Sequence, residues 1–85
     1  MSDDFIAMVM KPNFHAVNFE FNKKHYTISG WWQLEIIPDL SDFSKSTIVR
    51  YPDRRSILAD PIFDGFCLPQ ITNRLEDVVF DFEPE

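Results

Sequence analysis

Residues 15–37 read HAVNFEFNKKHYTISGWWQLEII, and the alternation in this stretch decides the fold class. In its first arm His15, Val17, Phe19 and Phe21 share one side of an extended chain, and Ala16, Asn18 and Glu20 share the other. The second arm puts Tyr26, Ile28, Gly30, Trp32, Leu34 and Ile36 on one face and Thr27, Ser29, Trp31, Gln33, Glu35 and Ile37 on the other. Both arms are rich in β-branched and aromatic residues. Whether the turn is Asn22-Lys23 or Lys23-Lys24, odd positions of the first arm oppose even positions of the second, so Val17 and Phe19 meet Tyr26 and Ile28. A lone hairpin is marginal in water, so its apolar face requires more strands or a helical cover. Gly30 interrupts the long second arm and marks a candidate bulge.

Outward from this hairpin, Phe5 to Met10 (FIAMVM) is apolar on both faces and ends before Pro12; a strand is favoured over a helical turn. Residues 38–44 read as a turn or a single helical turn, with Leu40 and Phe43 three apart. Ser46 to Tyr51 alternates as a further strand, and Asp53 is placed to cap a short helix over Arg54 to Ala59, stopped by Pro61. Pro61 to Pro69 (PIFDGFCLP) reads as an ordered loop or an edge hairpin whose Phe63, Phe66 and Leu68 plug the end of the sheet. Residues 69–77 carry one or two helical turns, with Ile71, Leu75 and Val78 on one side. The last strand follows, Val78, Phe80 and Phe82 facing in, and Asp77, Val79, Asp81 and Glu83 facing out. The expected architecture is one domain over residues 1–85, mainly β with α+β as the alternative. It is a small antiparallel sheet of four to six strands with one or two short helical turns.

Composition narrows the function. A hydrophobic fraction of 45% and an aromatic fraction of 15% exclude a disordered chain. The single cysteine, Cys67, excludes an internal disulfide, and no stretch resembles a signal peptide or a membrane span, so the expected location is the cytoplasm. Residues 1–59 hold seven acidic and seven basic side chains, whereas residues 60–85 hold seven acidic side chains against Arg74 alone. The whole net charge of −6 therefore falls in the last third. Direct nucleic-acid binding is disfavoured, because phosphate contacts need clustered Lys and Arg, and a basic protein partner is favoured.

The chemistry-bearing residues form no catalytic pattern. His15 shares parity with Val17 and is expected half-buried, while His25 shares parity with Thr27 next to the turn, which puts the imidazoles on opposite sides of the sheet. Cys67 lies in an apolar FCLP context that raises a thiol pKa, and reads as a packed cysteine. No spacing fits tetrahedral zinc or a calcium loop, and two glycines build no phosphate loop. The expectation is no enzyme, no cofactor, no metal, no membrane partner and no small-molecule ligand.

What remains is binding. Asp77, Asp81 and Glu83 ladder one face of the last strand, with neighbours two residues apart separated by about 6.6 to 7 Å, comparable with phosphates along a nucleic-acid strand. Trp31, between Ser29 and Gln33 on the more polar face, is a candidate anchor. The expected partner-binding set is Trp31, Glu35, Asp60, Asp64, Asp77, Asp81 and Glu83. In size, acidity and lack of catalytic groups the chain is similar to small bacterial immunity proteins, although no motif ties it to one family. The expected function is an immunity or antitoxin-type inhibitor that neutralises a toxin, a basic nuclease above all, by stoichiometric binding. Alternatives are a phage-encoded nucleic-acid mimic blocking a host protein, and a non-catalytic assembly subunit that oligomerises through the Phe5 to Met10 strand.

Overall fold

The computed structural model describes residues 2–30, 32–39, 41–42 and 44–84. Its strands are β1 (Phe14–Phe21), β2 (Lys24–Ser29), β3 (Gln33–Ile37), β4 (Thr47–Arg50) and β5 (Glu76–Phe82). The helices are α1 (Ser2–Val9), α2 (Arg54–Ala59) and α3 (Leu68–Ile71), the last running into a 3₁₀ turn over Thr72–Arg74. The strands make a single antiparallel sheet in the order β4-β3-β2-β1-β5. Four strands meander outward from β1, and the segment holding α2 and α3 returns the chain to lay β5 on the free side of β1.

The hairpin pairs as parity requires, with Val17 opposite Ile28 and Phe19 opposite Tyr26. Asn22 and Lys23 form its two-residue turn, both at positive φ (+52° and +64°), the mirror-image turn that matches strand twist. The second arm is not one strand. It reverses between Ser29 and Gln33, which pair with each other, and Ile28 and Tyr26 face Leu34 and Ile36 across a second hairpin. Trp32 takes the left-handed conformation (φ +57°), and its N–H donates to the Ser29 carbonyl at 2.9 Å. Glycine is needed at position 30 for space: a Cβ there would stand 3.2 Å from the Phe14 and His15 carbonyl oxygens, and the Gly30 N–H donates to His15 O.

The FIAMVM stretch is helical, not a strand. Ala7 and Met8 are helix formers, and Phe5 and Val9 come onto one face four residues apart. Both are buried against the sheet. The core lies between one sheet face and the helices: Val17, Phe19, Phe21, Tyr26, Ile28 and Leu34 from below meet Phe5, Val9, Ile57, Phe63, Leu68 and Ile71 from above. Asp53 caps α2 as expected, its carboxylate accepting from the Ser56 N–H at 2.9 Å. The Asp64-Gly65 pair turns the 61–69 segment into a one-bridge hairpin between Phe63 and Phe66. Phe63 and Leu68 do enter the core, and Phe66 is half-buried, stacked under the Arg74 guanidinium.

Candidate functional site: the open face of the sheet

All three helices feed the core on one side, while the residues of the other side are partly exposed apart from Ile37, which is buried. Register sets its rows. One runs Arg50, Gln33, Ser29, Ala16, Asp81, and the next Ile48, Glu35, Thr27, Asn18, Val79. A third runs Ile37, His25, Glu20, Glu76. Thr27 donates its hydroxyl to the Asn18 side-chain carbonyl at 2.6 Å, holding the middle row. Ile48 (50% exposed) and Val79 (59%) stand open at its two ends.

Two irregularities in the β1–β5 pairing shape the margin. Phe14 pairs with Phe82 and Ala16 with Asp81, so His15 is an extra residue on β1. This bulge lets Phe14 enter the core while His15 turns outward, its side chain 46% exposed, 3.9 Å from Asp81 and 3.4 Å from Glu83. The parity expectation for His15 is thereby corrected: both imidazoles lie on the open side, with His25 on β2 opposite Glu20, five positions along β1 from His15, or about 16 Å. Cys67 belongs to the helical layer, half-buried, its thiol donating to the Ala59 carbonyl at 3.2 Å. His15, His25 and Cys67 are thus not brought together. The second irregularity falls between Asn18 and Glu20, where β5 carries the extra residue and Asp77 adopts φ +51°. The bulge breaks the straight ladder and leaves Val78 exposed instead of core-facing.

The bulge also draws Asp77 to Glu20. A hydrogen bond between the two side chains holds the Glu20 carboxyl above its ordinary pKa, helped by partial desolvation and by the charges of Asp77 and Glu76, with His25 opposing. Like charges have been gathered here, not dispersed. The open face and its β5 margin hold Glu20, Glu35, Glu76, Asp77, Asp81 and Glu83 against Arg50, a balance of −5 out of the chain's −6. The remaining eight acidic and seven basic residues nearly cancel.

Of the residues expected to bind a partner, Glu35, Asp77, Asp81 and Glu83 come together on this face and margin. Asp60 and Asp64 do not: they lie in the connections of the helical side and are engaged within the chain. Asp60 accepts from the Tyr51 hydroxyl at 2.8 Å. Asp64 accepts from Asn22 Nδ2 and Lys24 Nζ, both at 2.6 Å, tying the loop to the β1–β2 turn and holding its own pKa low. Trp31 lies outside the described residues, as do Leu40 and Phe43. Its neighbour Trp32 is half-buried, stacked on Phe14 at 6.1 Å with the Arg54 guanidinium 4.7 Å from its ring, so it serves the fold. Sequence reasoning missed Glu20 and Glu76. Glu20 had the right parity, but it was counted with the neutral first part of the chain. Glu76 was read into a helix.

Among the described residues, no group of three or more His, Cys, Asp and Glu is arranged to hold a metal ion, and no helix is long and apolar enough to cross a membrane. A hollow of about 120 Å³ opens between Phe14, His15, Gly30 and Glu83. Small-molecule sites run to about 300 Å³ and above. Comparison with models of known families, with curated proteins and with solved structures finds no match for this chain.

Proposed function

We propose that this chain is a stoichiometric protein inhibitor of immunity or antitoxin type, docking its open acidic sheet face onto a basic toxin in the cytoplasm, a nuclease being the target whose substrate groove best suits that charge. The observation that carries the reading is the concentration of −5 on one sheet face and its β5 margin, while the remaining acidic and basic residues nearly cancel. Such a field steers a basic partner during encounter and sets orientation. Affinity then comes from desolvated apolar contacts, for which Ile48 and Val79 are exposed at the two ends of the middle row. The interrupted ladder, with Asp77 in a bulge and Val79 between carboxylates, fits the groove of a protein better than a regular imitation of a phosphate backbone.

The test is retention from lysate of the source cell by the tagged protein, compared with the double variant Asp77→Lys, Asp81→Lys, followed by stopped-flow association with the retained protein. The expected result is one basic protein bound one-to-one to the unaltered chain. Its association should be at least tenfold slower to the variant at low salt, with a weaker salt dependence. An unchanged association rate would sink the role of this face.

A further inference from the structure

The two margins of the sheet are built differently. β5 is fenced by Glu76, Asp77 and Asp81, with Glu83 just beyond, and by the register breaks that kink its pairing with β1. β4 has no carboxylate and no bulge, and its only protection is its four-residue length and Arg50 at its end. Thr47-Ile48-Val49-Arg50 follows β3 without a break, contains no proline or carboxylate, and exposes half of Ile48. An edge of that kind is a template for another strand.

The hydrogen-bond phase shows which groups are offered. Tyr51 N–H donates to the Trp32 carbonyl at 2.9 Å, which extends the β3–β4 register by one position and marks that position as a hydrogen-bonded pair. Antiparallel pairs alternate, so Leu34/Val49 and Ile36/Thr47 are the next hydrogen-bonded pairs. The N–H and C=O groups of Ile48 and Arg50 therefore point away from β3. We infer that β4 pairs antiparallel with β4 of a second copy of this chain, across a two-fold axis at Ile48. The Ile48 N–H of each copy donates to the Ile48 carbonyl of the other, and Arg50 stands opposite Ser46.

A second copy fits this edge better than a foreign strand does. The register is self-complementary: the exposed Ile48 side chains cover each other on the open face, and no like charges are opposed. A strand drawn by Lys45 and Arg50 would be acidic, whereas the acidic strand of this chain, β5, is closed by its bulges, which excludes head-to-tail filaments. The β5 margins remain at the far sides, four strand spacings or about 19 Å from each β4, so both acidic faces stay accessible. A four-residue strand pair buries well under about 1,000 Å², which makes the dimer weak and populated only at concentrations on the order of 0.1 mM and above. The inference does not depend on the inhibitor reading, and a monomeric chain would leave that reading standing.

Sedimentation velocity from about 10 µM to 1 mM tests it with the unaltered chain, Ile48→Lys, Ser46→Glu and, as a control on the fenced margin, Val79→Lys. The mass of the unaltered chain and of Val79→Lys should rise towards twice the monomer. Ile48→Lys, which opposes two cations at the axis, should remain monomeric with an unchanged far-ultraviolet spectrum. Ser46→Glu, which meets Arg50 of the other copy twice per dimer, should tighten association about two- to tenfold. A monomeric unaltered chain at the top concentration, a dimer that survives Ile48→Lys, or no tightening by Ser46→Glu overturns the proposal.

Discussion

Phe63 lies in the connection between α2 and α3, where a loop residue would ordinarily tolerate truncation, yet its side chain is fully removed from solvent. Its ring stands 5.0 Å from that of Tyr26 and 6.0 Å from that of Phe19, the stacked pair at the centre of the sheet. The Asp64-Gly65 turn folds the chain so that Phe63 and Phe66 exchange backbone hydrogen bonds at 3.1 Å, which presents the ring to the sheet. In Phe63→Ala the floor of the void is β1 and β2, both paired on two sides, so the site collapses poorly and the loss should be about 3–5 kcal/mol. A domain of this length has about 4–13 kcal/mol in total, so the variant should be near its limit at 37 °C. Urea unfolding followed by circular dichroism measures this, with a lowered midpoint and an unchanged slope. The adjacent clamp adds a second reading: Asn22→Ala loses its bond to Asp64 only where Phe63 holds the loop in place. The double variant should therefore lose less than the sum of the two singles, by about 0.5 kcal/mol or more. A loss below about 1.5 kcal/mol for Phe63→Ala, far under the usual cost of emptying a buried phenylalanine site, would refute the view that this loop seats the helical layer on the sheet.

Asp77→Gly should raise stability by about 0.5–1 kcal/mol, because glycine accepts the left-handed backbone at no cost. It should at the same time slow association with a basic partner; thermal melting and stopped flow read the two effects separately. Two carboxyl groups should shape the acid side of the stability profile in opposite directions. The Asp64 pKa is lowered from 3.8, first by the Asn22 amide and then by Lys24, so its contribution is present above that value and lost as pH falls through the folded pKa; Asp64→Asn should flatten this limb. The Glu20 pKa is raised from 4.5, so its contribution is full below that value and lost as pH rises through the folded pKa; Glu20→Gln should flatten the opposite slope in the same denaturation series.

Much of the sheet is legible in the sequence because side-chain parity is rigid once two strands share a buried face. Val17 and Phe19 had to meet Ile28 and Tyr26, and they do. The cap at Asp53 was readable for a similar reason, since its carboxylate has a fixed distance to the N–H three residues on. What escaped are places where the backbone breaks parity. Tryptophan is not a turn residue, so the reversal between Ser29 and Gln33, with Trp32 at φ +57°, reads in the sequence as an interrupted strand. The bulges at His15 and Asp77 each add one residue and move their neighbours to new surroundings, a change that composition does not announce. The apolar run at Phe5 to Met10 satisfied either period, and packing of Phe5 and Val9 four residues apart decided it. Charge was legible in amount but not in place. Counting along the chain assigned Asp60 and Asp64 to the acidic surface and omitted Glu20, which sheet pairing brings beside Glu76.

The acidic face has a cost that the fold does not require. Setting Glu20 opposite Glu76 and bonding it to Asp77 puts three carboxyl groups side by side, and the raised pKa of Glu20 is the mark of that crowding. Asp77 adds a left-handed backbone where glycine would be free of strain. Fencing an edge strand against aggregation explains charged residues on β5, but it is indifferent to their sign and does not call for Glu20 on β1 or Glu35 on β3. Solubility explains a net charge, but not its confinement to one sheet face and its β5 margin while the other acidic and basic residues nearly cancel. Residues that lower stability and gather on one accessible surface are the pattern expected where binding sets the requirement. It is this excess of carboxylates, beyond what edge protection and solubility need, that supports a basic docking partner.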